Sequence, residues 1–111
     1  MTTAIVHDIS LDDLRAGLID GSIYLVDVRE ANEWAAGHIA GAHFNPLSAF
    51  DPQALPPAAE GRRIVFHCRS GRRSITALEL AQAAGRHDVT THYEGGMLGW
   101  VAAGEPVVEG A

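Results

Sequence analysis

Apolar residues along this chain follow two spacings, and their alternation predicts strands separated by helices. Short apolar or alternating runs typical of strands lie at residues 4–9, 23–28, 64–67 and 88–93. Apolar residues at helical spacing, with a capping residue before them or a glycine after them, lie at residues 11–20, 30–36, 74–84 and 96–103. Residues 37–46 and the proline-containing residues 52–61 are expected to be mostly loop. This order indicates βα units, and therefore an α/β fold with a mainly parallel sheet.

The length of 111 residues corresponds to one domain, which we place over residues 1–111. The composition, 47% hydrophobic and 20% charged, is that of a globular protein. A single cysteine excludes an intramolecular disulfide framework and an internal redox pair. The net charge of −6 argues against a general nucleic-acid binder, because phosphate contacts need a basic surface.

Two further observations concern membranes and targeting. No apolar run approaches the roughly 18 residues that a membrane span needs, so no membrane partner is expected. The N-terminal segment has no arginine or lysine before Arg15 and carries Asp8, unlike a signal peptide. These features predict a soluble protein of the cytoplasm.

The candidate chemistry lies at the only cysteine, Cys68, which follows the predicted strand at 64–67. Sites in α/β sheets form beyond the carboxyl ends of strands, where Cys68 is expected. The helix predicted after the loop would present unpaired backbone N–H groups and the positive end of its dipole toward the loop. Gly71 supplies the backbone freedom that a tightly curled loop requires. The segment therefore predicts an anion-binding cradle around a thiol.

Charge is distributed to match this interpretation. No carboxylate occurs between Glu60 and Glu79, and five of the eight arginines lie in that window: Arg62, Arg63, Arg69, Arg72 and Arg73. A thiol at a helix N-terminus beside guanidinium groups is expected to have a lowered pKa and to act as a thiolate nucleophile without a general base. A lone cysteine is most often an inert apolar residue, but its polar neighbours here favour a reactive one.

The spacing of the loop separates two kinds of enzyme. Tyrosine-phosphatase-type loops read Cys-x5-Arg because they surround a tetrahedral phosphate. Here Arg73 follows Cys68 with four residues between them, and the shorter Cys-x4-Arg loop suits a single sulfur atom carried on the cysteine.

Four stretches of the chain share their pattern with one known family. They are LVDVRE at 25–30, EWAAGHIAGA at 33–42 followed by Asn45-Pro46, CRSGRRS at 68–74, and GGMLGW at 95–100 followed by GEPV at 104–107. They resemble, in this order and over essentially the whole chain, the motifs of the single-domain rhodaneses, which are thiosulfate sulfurtransferases.

The resemblance implies a rhodanese-like α/β domain, a five-stranded mainly parallel sheet with helices on both faces. It also implies a ping-pong reaction that needs no cofactor. The Cys68 thiolate attacks the outer sulfur of thiosulfate, sulfite leaves, and the persulfide passes its sulfur to cyanide or a thiol.

The same resemblance assigns roles within the motifs. The loop from Arg69 through Ser70, Gly71, Arg72 and Arg73 to Ser74 would bind the substrate and hold the persulfide with its N–H groups. Arg73 and Arg69 are the arginines expected at the anion, whereas Arg72 is expected to face solvent.

Several other polar residues are expected to have a structural role and to take no part in the reaction. Asp27 and Arg29 are expected to support the sheet end, and His38 to hydrogen-bond locally. The remaining histidines show no metal-site spacing, so no metal is expected.

Three alternatives stay open at this point. The domain could be a sulfur-relay or regulatory module that accepts a persulfide from a protein partner instead of a small anionic donor. An arsenate reductase on the same fold would depend on an external thiol, because a resolving cysteine is missing. A phosphatase is disfavoured by the short loop.

Overall fold

Five parallel strands form one sheet in the computed structural model of this chain, which describes residues 3–110. They are β1 (His7–Asp8), β2 (Ile23–Asp27), β3 (His43–Phe44), β4 (Arg63–His67) and β5 (Thr91–His92). Their order across the sheet is β1-β5-β4-β2-β3, so β4 is the central strand and β2 is the inner strand beside it. The prediction of an α/β fold with a parallel five-stranded sheet is confirmed.

Residues 3–110 form four α-helices and two short 3-10 helices, of which all but the last α-helix lie between strands. The α-helices are α1 (Leu11–Asp20), α2 (Ala31–Ala36), α3 (Arg72–Ala83) and α4 (Gly96–Ala102), and the 3-10 helices are Leu47–Ala49 and Pro52–Ala54. Ser10 caps α1 as predicted, because its hydroxyl accepts the Asp13 N–H at 3.1 Å. Glu30 and Glu33 form a reciprocal capping box at the start of α2. None of the helices within residues 3–110 is long and apolar enough to cross a membrane.

Two apolar clusters cover the two faces of the sheet. Phe66 of β4 packs in one cluster with Ala77 and Leu78 of α3. Its neighbour Val65 packs in the other with Leu14 of α1 and Trp100 of α4. Successive side chains of a strand point to opposite faces, so β4 contributes to both clusters. The expectation of helices on both faces is confirmed.

The boundaries of the outer strands differ from those predicted from the sequence. β1 and β5 have two residues each instead of the six predicted, and β3 lies in the segment predicted to be mostly loop. These short strands are defined by pairing: Val26 of β2 pairs with His43, and Asp27 with Phe44. Pairing partners lie far apart in sequence, so local patterns define such strands poorly.

The paired strands β2 and β4 position the chemistry. Asp27 at the end of β2 is paired with His67 at the end of β4, and the Val28 N–H donates to the His67 carbonyl at 3.0 Å. The segment after β2 therefore runs beside Cys68, which directly follows β4.

Candidate functional site around Cys68

The loop between β4 and α3 curls around the Cys68 sulfur. The backbone N–H groups of Gly71 and Ser74 point at Sγ over N–S distances of 3.2 and 3.4 Å. The Ser74 hydroxyl oxygen lies 3.6 Å from the same sulfur. Only 1% of Cys68 is exposed, so these groups, and not water, surround most of the sulfur. These groups lie where the sequence predicts the cradle, and anion binding there stays a prediction.

Gly71 allows the loop to turn into the helix. It is the N-cap of α3 and has a left-handed backbone with φ of 92°. A β-carbon at this position would lie 2.8 Å from the carbonyl oxygen of Glu94. The position therefore combines a backbone conformation and a close contact that both favour glycine.

The surroundings of the thiol favour its ionised form. Burial opposes ionisation, but the Ser74 hydroxyl and the N–H groups of Ser74, Ser70 and Gly71 outweigh it. The net result is a pKa of Cys68 below its ordinary value. The sequence predicts a lowered pKa of Cys68 with a contribution from guanidinium groups. Hydrogen bonds from the loop are the dominant favourable cause.

Arg73 is held by a carboxylate from another element. Its two terminal nitrogens donate to the two oxygens of Glu33 on α2 at 2.6 and 2.9 Å. This bidentate pair lowers the pKa of Glu33 to about 2. Arg73 is therefore fixed beside the loop with its charge shared between Glu33 and the site.

The other arginines of the cluster divide into two groups. Arg69 and Arg72 are exposed on the loop and at the start of α3, as expected for Arg72. Arg62 and Arg63 are exposed at the opposite end of β4, where Arg62 lies over the Tyr24 ring at 5.7 Å. Three of the five clustered arginines are thus near Cys68.

Asp27 and Arg29 make the structural contacts expected of them. The Arg29 guanidinium donates to both carboxylate oxygens of Asp27 and, at 2.8 Å, to the Gly37 carbonyl. Both side chains are buried, so their charges compensate each other in the interior. The pair ties the end of β2 to the segment that follows α2.

His67 and His38 also contact protein groups near the ends of the strands and of α2. His67 is fully buried, with Nδ1 3.2 Å from the Cys68 carbonyl and Nε2 3.6 Å from an Asp27 oxygen. Burial lowers the pKa of His67. His38 Nδ1 lies 2.9 Å from the Trp34 carbonyl, and its ring stacks on Trp34. Within residues 3–110 no three His, Cys, Asp or Glu side chains are grouped as metal ligands.

Helix α4 packs directly on the cysteine loop. The Met97 N–H donates to the Cys68 carbonyl at 2.8 Å, and the Leu98 N–H to the Arg69 carbonyl at 3.1 Å. Beside this contact lies an open groove of about 390 Å³, whose lining includes Ala36, Arg69, Leu98, Val101 and Val107. The motif at 95–100 thus supports the loop through its backbone.

One contact of the site was not predicted from the sequence. Nδ1 of His92 on β5 lies 2.8 Å from the hydroxyl oxygen of Ser74. In the sequence His92 is one of the histidines without metal-site spacing, and its separation of 18 residues from Ser74 gives no local signal of this contact.

Comparison with known proteins agrees with the fold. The sequence model of the rhodanese-like domain matches residues 10–103. An uncharacterized protein of Synechocystis is 43% identical over 88 residues, which are 79% of this chain and 48% of that protein. This chain thus spans about half the length of that relative.

Two further matches have similar lengths to this chain. Human thiosulfate:glutathione sulfurtransferase is 34% identical over 106 residues, covering 84% of this chain and 91% of that protein. The solved structure of the human single-domain sulfurtransferase superposes with a TM-score of 0.71 at 32% identity, covering 86% and 95% of the two chains. With its parallel sheet, its cysteine loop and these matches, the chain belongs to the rhodanese-like domain family.

Proposed function

We propose that this protein is a sulfurtransferase that carries sulfur on Cys68. The thiolate attacks the outer sulfur of thiosulfate, a new S–S bond forms, and the original S–S bond breaks with its electron pair leaving on sulfite. The observation that supports this best is the set of groups around Sγ: the N–H groups of Gly71 and Ser74 point at it, and the Ser74 hydroxyl oxygen lies 3.6 Å away. The same loop would stabilise an anionic persulfide.

The charge around the loop favours a small dianionic donor. Arg69 is exposed on the loop, and Arg73 is fixed beside it. The N-terminus of the twelve-residue α3 adds partial positive charge in the same place. These groups would attract thiosulfate and orient its sulfonate away from the attacking sulfur.

A thiol or cyanide would complete the cycle. The acceptor attacks the outer persulfide sulfur, takes it, and leaves Cys68 as the thiolate. Human thiosulfate:glutathione sulfurtransferase, by its name, uses a thiol acceptor, which favours glutathione as the first thiol to test. We place this reaction in the cytoplasm, where thiols stay reduced.

The proposal is tested by intact-protein mass spectrometry after incubation with thiosulfate. The expected result is a gain of about 32 Da, one sulfur atom, that is removed by cyanide or glutathione. Cys68→Ser is the matched control and should remain folded without gaining mass. Sulfur transfer by folded Cys68→Ser would contradict the role of Cys68. Absence of a mass gain in the wild type would remove thiosulfate as the donor.

A sulfur-relay module is the second candidate, and the groove beside the loop favours it. Leu98, Val101 and Val107 are 49%, 55% and 41% exposed there, which places apolar side chains at the surface beside the loop. A protein that delivers a persulfide could dock on it. Saturable turnover with thiosulfate supports the enzyme, whereas negligible turnover with persulfide uptake from a protein donor supports the relay.

Phosphatase chemistry fits the loop less well. The donors of Gly71 and Ser74 converge on the cysteine sulfur itself. With four residues between Cys68 and Arg73, the loop is one residue shorter than a phosphatase-type loop. Arsenate with glutathione remains the assay to run if no sulfur donor reacts.

A further inference from the structure

The Ser74 hydroxyl lies between two buried groups that can both use its proton. Its oxygen is 3.6 Å from Cys68 Sγ and 2.8 Å from His92 Nδ1. Ser74 is fully buried, and His92 is 2% exposed. A hydroxyl has one proton to donate and accepts with its lone pairs, so it can donate to only one of the two neighbours at a time.

The charge of Cys68 decides which way this hydrogen-bond chain runs. A thiolate has no proton, so the Ser74 proton must point at the sulfur to stabilise it. The Ser74 oxygen is then free to accept, and His92 must carry its proton on Nδ1 to donate to it. In the thiol form the direction can reverse, with the S–H donating to Ser74 and Ser74 donating to an unprotonated Nδ1.

The sheet holds His92 in this position. His92 is paired with Phe66 of β4 on one side and with Asp8 of β1 on the other. The carboxylates that act on the ring come from Asp8 and from Glu94, and Asp8 also accepts the Glu94 N–H at 2.8 Å. Burial nevertheless lowers the pKa of His92 overall, so the neutral ring predominates at neutral pH. A neutral imidazole can adopt the tautomer that donates from Nδ1.

We propose, on the basis of the sulfurtransferase function above, that His92 is a positioning residue that directs the Ser74 hydroxyl proton toward Cys68. The ring does not touch the reacting sulfur. It acts through Ser74, by donating to the hydroxyl oxygen and so leaving the hydroxyl proton for the thiolate.

The test compares two amides of different length at position 92. The side-chain nitrogen of His92→Asn occupies nearly the place of Nδ1 and can donate to Ser74, whereas His92→Gln places its amide nearer to Nε2. The pKa of Cys68 is read from the rate of iodoacetamide alkylation against pH, which requires no sulfur transfer. We expect His92→Gln to raise this pKa by roughly one unit, a tenfold loss of thiolate below the pKa, and His92→Asn to leave it near the wild-type value.

A double variant tests whether His92 acts through Ser74, and a control variant tests whether the effect is specific to His92. Ser74→Ala should raise the pKa of Cys68 by itself, and His92→Gln should add no further shift in that background. His43→Phe is the control, because His43 is an exposed histidine that stacks on Tyr24 elsewhere in the fold. Urea midpoints verify that each variant is folded.

Two results would overturn the inference. One is an unchanged Cys68 pKa in His92→Gln. The other is the same shift from His92→Gln with and without Ser74, because His92 would then act by another route. Failure of the sulfurtransferase proposal is a separate result, visible as wild-type protein that gains no sulfur while its alkylation profile still depends on His92.

Discussion

Replacing Gly96 tests whether α4 supports the cysteine loop. Gly96 begins α4 with φ of 60°, and a β-carbon there would lie 2.5 Å from the Arg69 carbonyl oxygen and 2.6 Å from the Cys68 carbonyl oxygen. Both neighbours are backbone atoms of the loop, and the next two residues, Met97 and Leu98, donate their N–H groups to the same carbonyls. The methyl group of alanine therefore cannot be accommodated by rotating a side chain.

Two costs together give the expected loss of stability in Gly96→Ala. A left-handed backbone costs a residue with a β-carbon about 1–2 kcal/mol relative to glycine. Forcing a methyl group into a closely packed contact costs about 1–3 kcal/mol more. Gly96→Ala should therefore lower the free energy of unfolding by about 2–5 kcal/mol. Because the displaced atoms belong to Cys68 and Arg69, the folded fraction should also alkylate more slowly and take up less sulfur.

Unfolding in urea is monitored by tryptophan fluorescence, and the alkylation rate of Cys68 is measured in parallel. Gly104→Ala is the matched control, because Gly104 also has a left-handed backbone, with φ of 79°, but no atom within 4 Å of the added β-carbon. The control should show only the conformational cost and a normal alkylation rate. Two results would contradict the inference that α4 supports the loop. One is an equal loss of stability in the two variants, and the other is a wild-type alkylation rate of Cys68 in Gly96→Ala.

Three further predictions concern the charged and titratable groups. The Arg73 partner lowers the pKa of Glu33 to about 2, so the pair stabilises the fold above the ordinary pKa of 4.5 and this stability is lost as the pH falls toward 2. Glu33→Gln should reduce the pH dependence of the urea midpoint over that range, whereas Glu79→Gln, at an exposed position, should not. Burial lowers the pKa of His67, so the unfolded chain binds a proton that the native state does not, and stability falls as the pH drops below about 6.5. His67→Gln should reduce that slope in pH-dependent unfolding, and an unchanged slope would assign it to other groups. Arg73→Ala should raise the pKa of Cys68 and weaken thiosulfate binding more than Arg72→Ala does. The pKa is measured from the alkylation rate against pH, and thiosulfate binding from KM. Equal effects of the two substitutions would mean that the loop N–H groups alone set the pKa of Cys68 and the binding of thiosulfate.

Much of the site could be predicted because it is local in the chain. Cys68, the glycine that turns the loop and the first residues of α3 are consecutive, so their chemistry follows from one strand–loop–helix pattern. Asp27 and Arg29 are two residues apart at the end of a strand, and their pairing also follows from short-range geometry. Strands β2 and β4 were predicted well because their apolar runs are buried on both faces.

The partners of these groups depend on packing. Arg73 meets Glu33 across 40 residues of sequence, and Ser74 meets His92 across 18. No spacing pattern encodes such pairs, because they form only when separate elements pack against the same sheet end. The short outer strand β3 was missed for a related reason, since its two residues are defined by pairing with β2.

The fold class and the candidate nucleophile, Cys68, can therefore be read from the sequence alone, because periodicity and a contiguous loop are properties of neighbouring residues. Three features follow only from the folded arrangement: Arg73 is held by Glu33, Gly96 of α4 packs on the loop, and Ser74 lies between Cys68 and His92. Each of these depends on distances between elements, which the register of the sheet and the packing of its helices set.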